Sequence, residues 1–187
     1  MNIFYLDKDL AKAAQYHVDK HTVKMVLEYA QLLSTAHRLC DGIPYKSRTK
    51  TGRIIKRWGF SPRGIDPRAG ILYEATHINH PSAVWSRATN NNYNALAYLL
   101  ACLCREYTYR YGRVHKVESS GLLMALSVPP VNIPIGVFTQ PTPAMDKKYL
   151  IYTNGIINSL LSYRNYYING KKHLAKWTKR DNPDWFI

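Results

Sequence analysis

Between Tyr16 and Arg38 the chain reads YHVDKHTVKMVLEYAQLLSTAHR, with apolar and polar positions spaced at the period of a helix. At about 3.6 residues per turn, Val18, Met25, Tyr29, Leu32 and Ala36 make one side and Val23, Leu27 and Ala30 another. His17, His21, Lys24, Glu28, Gln31 and Thr35 share a stripe roughly 80° wide, with Lys20 and Arg38 at its edge. The pattern predicts a helix buried around most of its circumference and carrying one polar seam.

The flanking segments arrange themselves around that helix. Asn2 to Leu6 is a short apolar lead-in, and Asp7 or Asp9 can cap a helix behind it. That helix, or a pair broken near Asp19, ends at Asp41-Gly42, where glycine tolerates a left-handed cap. Residues 43–70 are polar and basic without periodicity and read as a loop insertion able to lie along a phosphate backbone. Pro81 suits a first helical position, opening a short helix with Trp85 and Arg87. Thr89 or Asn90 caps a long helix to Tyr111, closed by Gly112, whose Leu96, Leu99, Leu100 and Leu103 pack on the first. Ser119 to Leu126 reads as one short helix, and 127–146 as a proline-rich loop wrapping the core. Lys147 to Tyr167 is helical in period with Gly155 a weak point, before a short basic helix and an aromatic terminus. The expected fold class is all-α: one compact helical domain over 1–187, with a central helix and long irregular loops.

Charge changes the picture. Twenty-six Lys plus Arg against 12 Asp plus Glu give a formal +14, interleaved with 15 tyrosines and four tryptophans. Cations neutralise phosphates and aromatic rings stack on bases, so the composition points to DNA, with duplex the expected form. Lys20, Arg38, Arg53, Lys56, Arg57, Asn79, His80, Arg87, Arg110, Arg113, His115 and Lys116 are the candidate nucleic-acid contacts. No segment is an amphipathic membrane-surface helix or an apolar span, so no membrane partner is expected. Cys40, Cys102 and Cys104 form no CxxC pair, and MNIFYLDKDL is no signal peptide; a reduced, cytoplasmic protein is expected, as a monomer.

Candidate chemistry narrows by elimination. The chain holds no GxGxxG, no GxxxxGK[ST], no GxSxG elbow and no cysteine in a nucleophile setting. His17 and His21, four apart on a helix, form a possible metal pair that His77 and His80 could complete, but the motif lacks the glutamate that follows the first histidine in zincins. No metal or cofactor is expected. Glu28 remains, with Lys24, His21 and His17 and the amine of Met1, which the lead-in can bring to the central helix. On DNA this combination has a logic. A carboxylate beside C1′ stabilises an oxocarbenium-like transition state, an unprotonated amine can attack C1′, and the base must first leave the stack.

The runs DKHTVKMVLEYAQLL and NHPSAVWSRATNNNYNALAYLLACLCREYTYRYG, and the closing PDWF, resemble small phage and bacterial proteins grouped with the pyrimidine-dimer DNA glycosylases, the endonuclease V family. The resemblance rests on the spacing of Asp19, Lys24, Glu28 and Gln31, on Asn79-His80-Pro81 followed by Trp85, and on Cys-Arg-Glu-Tyr in the second long helix. It implies a compact helical fold with glycosylase and abasic-site lyase chemistry, Glu28 as the catalytic carboxylate, and His21 and Glu28 as the family's His and Glu pair. One feature departs from it: endonuclease V members use the amine of a small residue exposed by loss of the initiator methionine, whereas Asn2 keeps Met1 in place. The Met1 amine, Lys24 or Lys20 would then serve, or the lyase step would be absent. The competing expectations are a phage enzyme that hypermodifies bases on the same fold, a non-catalytic DNA-binding phage protein, and a metal-dependent hydrolase.

Overall fold

The computed structural model describes residues 1–60 and 66–187, so Arg63 of the basic segment lies outside the described residues. Asp9 opens the first helix, α1 (Leu10–Gln15), by accepting the amide hydrogens of Ala11 and Lys12. The chain breaks at Tyr16–Val18 and restarts as α2 (Asp19–Asp41), a 23-residue rod with Asp19 favourably placed at its positive end. The break near Asp19 is fixed from outside the helix pair: the Asp19 amide donates to the Lys176 carbonyl, and its carboxylate holds Arg110 and Thr178.

Gly42 ends α2 in an extended conformation, φ −86°, and not the left-handed one that the Asp-Gly pair suggested. Its lack of a side chain serves another purpose, because a Cβ there would collide with the Arg38 carbonyl. The chain then leaves as strand β1 (Ile43–Arg48), which pairs antiparallel with β2 (Ile54–Gly59). A second hairpin joins β3 (Tyr152–Thr153) to β4 (Ile156–Ile157) around Asn154-Gly155, both left-handed at φ 51° and 76°. That is the geometry an Asn-Gly hairpin turn supplies.

These two sheets overturn the all-α expectation: the fold is helix-dominated, at 48% helix, but mixed. The physical reason differs between them. The first ribbon is exposed on both faces over much of its length, so no apolar alternation marks it. The second lies in a stretch whose helical period holds only from α8 (Ser159–Gly170) onward.

Short helices α3 (Arg68–Ile71) and α4 (Pro81–Ser86) follow the first ribbon. The long α5 (Asn90–Tyr111) starts at a Thr89 cap and ends at left-handed Gly112, φ 67°. The single helix expected over 119–126 is two, α6 (Lys116–Ser119) and α7 (Leu122–Ala125), divided at Gly121, φ 79°. The tail makes a 3₁₀ turn at Lys172–Leu174.

One hydrophobic cluster unites Ile3 to Leu6, the inner face of α2, Leu96, Leu99, Leu100 and Leu103 of α5, Tyr163 and Tyr167 of α8, and Trp177. The proline-rich loop wraps it, held by side chains of the Asn run that opens α5. Asn90 Oδ1 accepts from Gly136 N at 3.0 Å and Asn92 Oδ1 from Thr139 N at 2.8 Å, while Trp85 Nε1 donates to Thr139.

Candidate functional site

Burial divides the polar seam of α2 in two. His17 and Thr35 are fully buried and His21 is 7% exposed, whereas Lys24 is open and Glu28 and Gln31 are half-buried. Val23 and Leu27, expected inside, are on the surface. The open strip is therefore Lys20, Val23, Lys24 and Leu27, with Glu28 and Gln31 along its edge.

Burial keeps these histidines neutral, and their hydrogen-bond partners fix the orientation of each ring. His17 Nδ1 donates to the Ala13 carbonyl at 2.7 Å, so its Nε2 must accept, from the Tyr29 hydroxyl at 2.9 Å. Tyr29 in turn accepts the Phe4 amide at 3.0 Å, tying the amino-terminal segment to α2. His21 Nδ1 lies 2.7 Å from the Tyr167 hydroxyl, and its ring stacks on Phe4 at 4.3 Å. Burial pushes His17 down to about 4, and burial with the charges of His17, Lys171 and Lys24 pushes His21 down to about 3. Burial, with Arg68 adding to it, likewise lowers His37 to about 4.

A pH dependence of stability follows. These three histidines titrate near 6.5 when unfolded but stay neutral when folded, so the unfolded state binds more protons below that pH. Stability is fully present above about pH 6.5 and falls as pH drops toward 4, by about 1.4 kcal/mol per pH unit for each histidine. Urea unfolding at pH 7 and pH 5 checks this: a midpoint clearly lower at pH 5 is expected, and His17→Gln should reduce the difference. Equal midpoints would refute it.

Glu28 Oε1 lies 3.1 Å from Lys24 Nζ, with the carboxylate side chain 14% exposed and the lysine 68% exposed. Across from it runs the segment leading into α4. Thr35 fastens that segment two turns beyond Glu28, its hydroxyl donating to the Thr76 carbonyl at 3.4 Å and accepting the Thr76 amide at 3.2 Å. His77 follows in the left-handed region, φ 48°, a conformation that costs a non-glycine residue energy and recurs at functional sites. His80 caps α4, its Nδ1 accepting the Ser82 amide at 3.2 Å, which leaves Nε2–H as a donor. The Ser82 hydroxyl donates to the Met1 carbonyl at 3.4 Å. Burial lowers the His80 pKa, the amino-terminal amine and His77 lower it further, and Glu28 opposes them. Glu28, His77 and the Met1 amine thus each lie within electrostatic reach of His80.

No protein-family model, curated protein or solved structure matches this chain.

The remaining candidates separate into free and spent cations. Lys20, Arg53, Lys56, Asn79, Arg113 and Lys116 are exposed. Arg57 is half-buried, 3.8 Å from Glu74, and Arg87 is half-buried with Nη1 on the Ala83 carbonyl at 2.7 Å. Arg38, expected on phosphate, is instead buried, its guanidinium donating to the carbonyls of Tyr73, Trp58 and Leu72. Arg110 is likewise buried, bonded to Glu106, Asp19 and the carbonyls of His17 and Gln15. Arg180 covers the other side of Glu106 at 2.9 Å. His115 caps α6, accepting the Val117 amide at 3.1 Å. Asp19 anchors the tail through Thr178 as well as Arg110.

His17 and His21 are turned to separate phenols, and among the described residues no group of three or more His, Cys, Asp or Glu side chains is arranged to hold a metal ion. Lys171, whose charge also acts on His21, is a neighbour of the seam that lies far from it in sequence. Its only sequence signal is the basic run KKH, which gives no hint of proximity to residue 21. No described helix is long and apolar enough to cross a membrane.

Proposed function

We propose that this protein is an enzyme acting on a base or its glycosidic bond in DNA, with Glu28 as the catalytic carboxylate. One observation carries the reading. Glu28 is a half-buried carboxylate whose ion-pair partner reaches into solvent, within electrostatic reach of His80, on which His77 and the amino-terminal amine also act, on a chain of net charge +14. A solvated surface helix has no use for a strained histidine and a helix-capping one near its mid-helix carboxylate, whereas bond cleavage at C1′ does. Glu28 stabilises positive charge developing on the sugar or draws a proton from water. Exposed lysines of the same strip, Lys20 and Lys24, bind the phosphates that flank the extruded nucleotide. His17 and His21 position the helix and do not touch substrate.

Incubation with duplex oligonucleotides carrying a pyrimidine dimer, an abasic site or a modified pyrimidine tests the reading. Mass analysis of bases and nucleosides is expected to show either a released base or an altered one. Borohydride added during turnover would trap any imine at C1′, and mapping the adduct chooses between Met1 and a lysine. DNA recovered chemically unchanged from every substrate, under conditions where the protein is bound to it, would overturn the proposal.

A further inference from the structure

The ribbon β1–β2 carries features that the core does not require. A two-stranded hairpin is marginal in water by itself, yet this one stands largely in solvent, with Ile43, Tyr45 and Ile54 each about half exposed. From Gly42 to Ile65 the sequence contains no Asp or Glu. Lys46, Arg48, Lys50, Arg53 and Lys56 are all exposed. The register sets Lys46 directly opposite Lys56, a like-charge pair that destabilises the ribbon until something anionic lies against it. Lys46, Arg48, Ile54 and Lys56 share one face, because Arg48 pairs with Ile54 on the rung two residues away. At the base, the three donating nitrogens of Arg38 clamp Trp58, Leu72 and Tyr73, and Lys56 sits 5.2 Å over the Trp58 ring. The root of the ribbon is fixed and its length is free.

We propose that the β1–β2 hairpin inserts into the major groove of duplex DNA, with its Lys46, Arg48 and Lys56 face turned to the nucleic acid. This rests on the DNA reading above and supplies its docking geometry. Six residues per strand span about 20 Å, more than the roughly 12 Å width of the major groove, and a two-stranded ribbon is of the size that the major groove admits while the minor groove excludes it. The cations meet phosphates on both groove walls, and Ile54 on the same face offers apolar contact to base edges such as the thymine methyl.

The test uses undamaged duplex and the full chain. A variant with Lys46→Gln, Arg48→Gln, Lys50→Gln, Arg53→Gln and Lys56→Gln should lose on the order of tenfold or more in duplex affinity, and its salt dependence should flatten by about 0.9 per phosphate contact removed. Lys46→Glu, which turns the cross-strand repulsion into attraction, should melt at the same temperature or higher while binding duplex more weakly; a variant that lost both would have unfolded, and this one separates the two. Dimethyl sulfate footprinting should show guanine N7 protected by the parent and open with either variant. Unchanged affinity and salt slope in the five-site variant, protection confined to adenine N3, or tighter binding to the single strand would overturn the proposal. Duplex binding and Glu28-dependent turnover that both survive in the five-site variant would overturn the hairpin's role alone, whereas a parent protein that binds no duplex would overturn the DNA reading with it.

Discussion

Glu28→Gln is expected to reduce turnover on DNA by a factor of about 10²–10³ or more, the range for removal of one preorganised electrostatic group at a reacting centre. Gln keeps the shape and helical preference of Glu but cannot carry the charge that offsets a cationic sugar. Folding should be little affected, because the pair with Lys24 is half-open to water and such pairs contribute roughly 0–1 kcal/mol. DNA affinity should stay the same or rise, since a negative charge near the phosphates is gone. Single-turnover assays beside equilibrium binding at two salt concentrations check both halves. Equal activity in the variant would remove Glu28 from the chemistry, and no turnover by either protein, with tighter binding by the variant, would favour a purely DNA-binding protein. Lys24→Ala gives the complementary result: weaker binding at low salt, with a smaller loss in the chemical step.

The largest expected loss of stability comes from Arg110→Ala. The Arg110 side chain is fully buried and bridges Glu106, Asp19 and two carbonyls at the break between α1 and α2. Removing it leaves buried acceptors unpaired and Glu106 with Arg180 as its remaining cation. Breaking a buried pair from one side costs about 3–5 kcal/mol, which for a chain of this size lowers Tm by roughly 6–20 °C. Arg110→Lys should recover only part of it, because a single ammonium cannot match the planar fork that reaches four acceptors. At a temperature where Arg110→Lys remains folded, DNA binding and its salt slope should equal those of the parent. A salt slope reduced by about one in Arg110→Ala, measured where that variant is still folded, would show instead that Arg110 reaches phosphate, since lysine at this position keeps the charge.

Elements whose limits depend on neighbouring residues were legible. Asp9, Thr89 and Gly112 mark helix ends through hydrogen bonds within a turn, and Pro81 needs no partner to start α4. The ribbons were harder. Asn154-Gly155 is a strong hairpin signal, but the helical period that begins at Ser159 overran it in the sequence. Ile43–Arg48 carries no alternation because neither face of the ribbon is core, so patterning has nothing to report there.

The sequence by itself determined the central amphipathic helix, its long leucine-rich partner, the basic surplus and the presence of Glu28 among histidines and lysines, since these depend on spacing along the chain and on composition. Tertiary structure alone decided which of those groups meets solvent. A helical wheel sets His17, His21, Lys24 and Glu28 on one stripe, but the break before α2 turns His17 onto Tyr29, and Phe4 and Tyr167 come from distant segments to cover His21, while the others stay open. Arg38 and Arg110 look like surface cations in the chain, yet each finds carbonyls that only the folded path brings together. Burial of a charge is set by partners far away in sequence, and no local pattern encodes them.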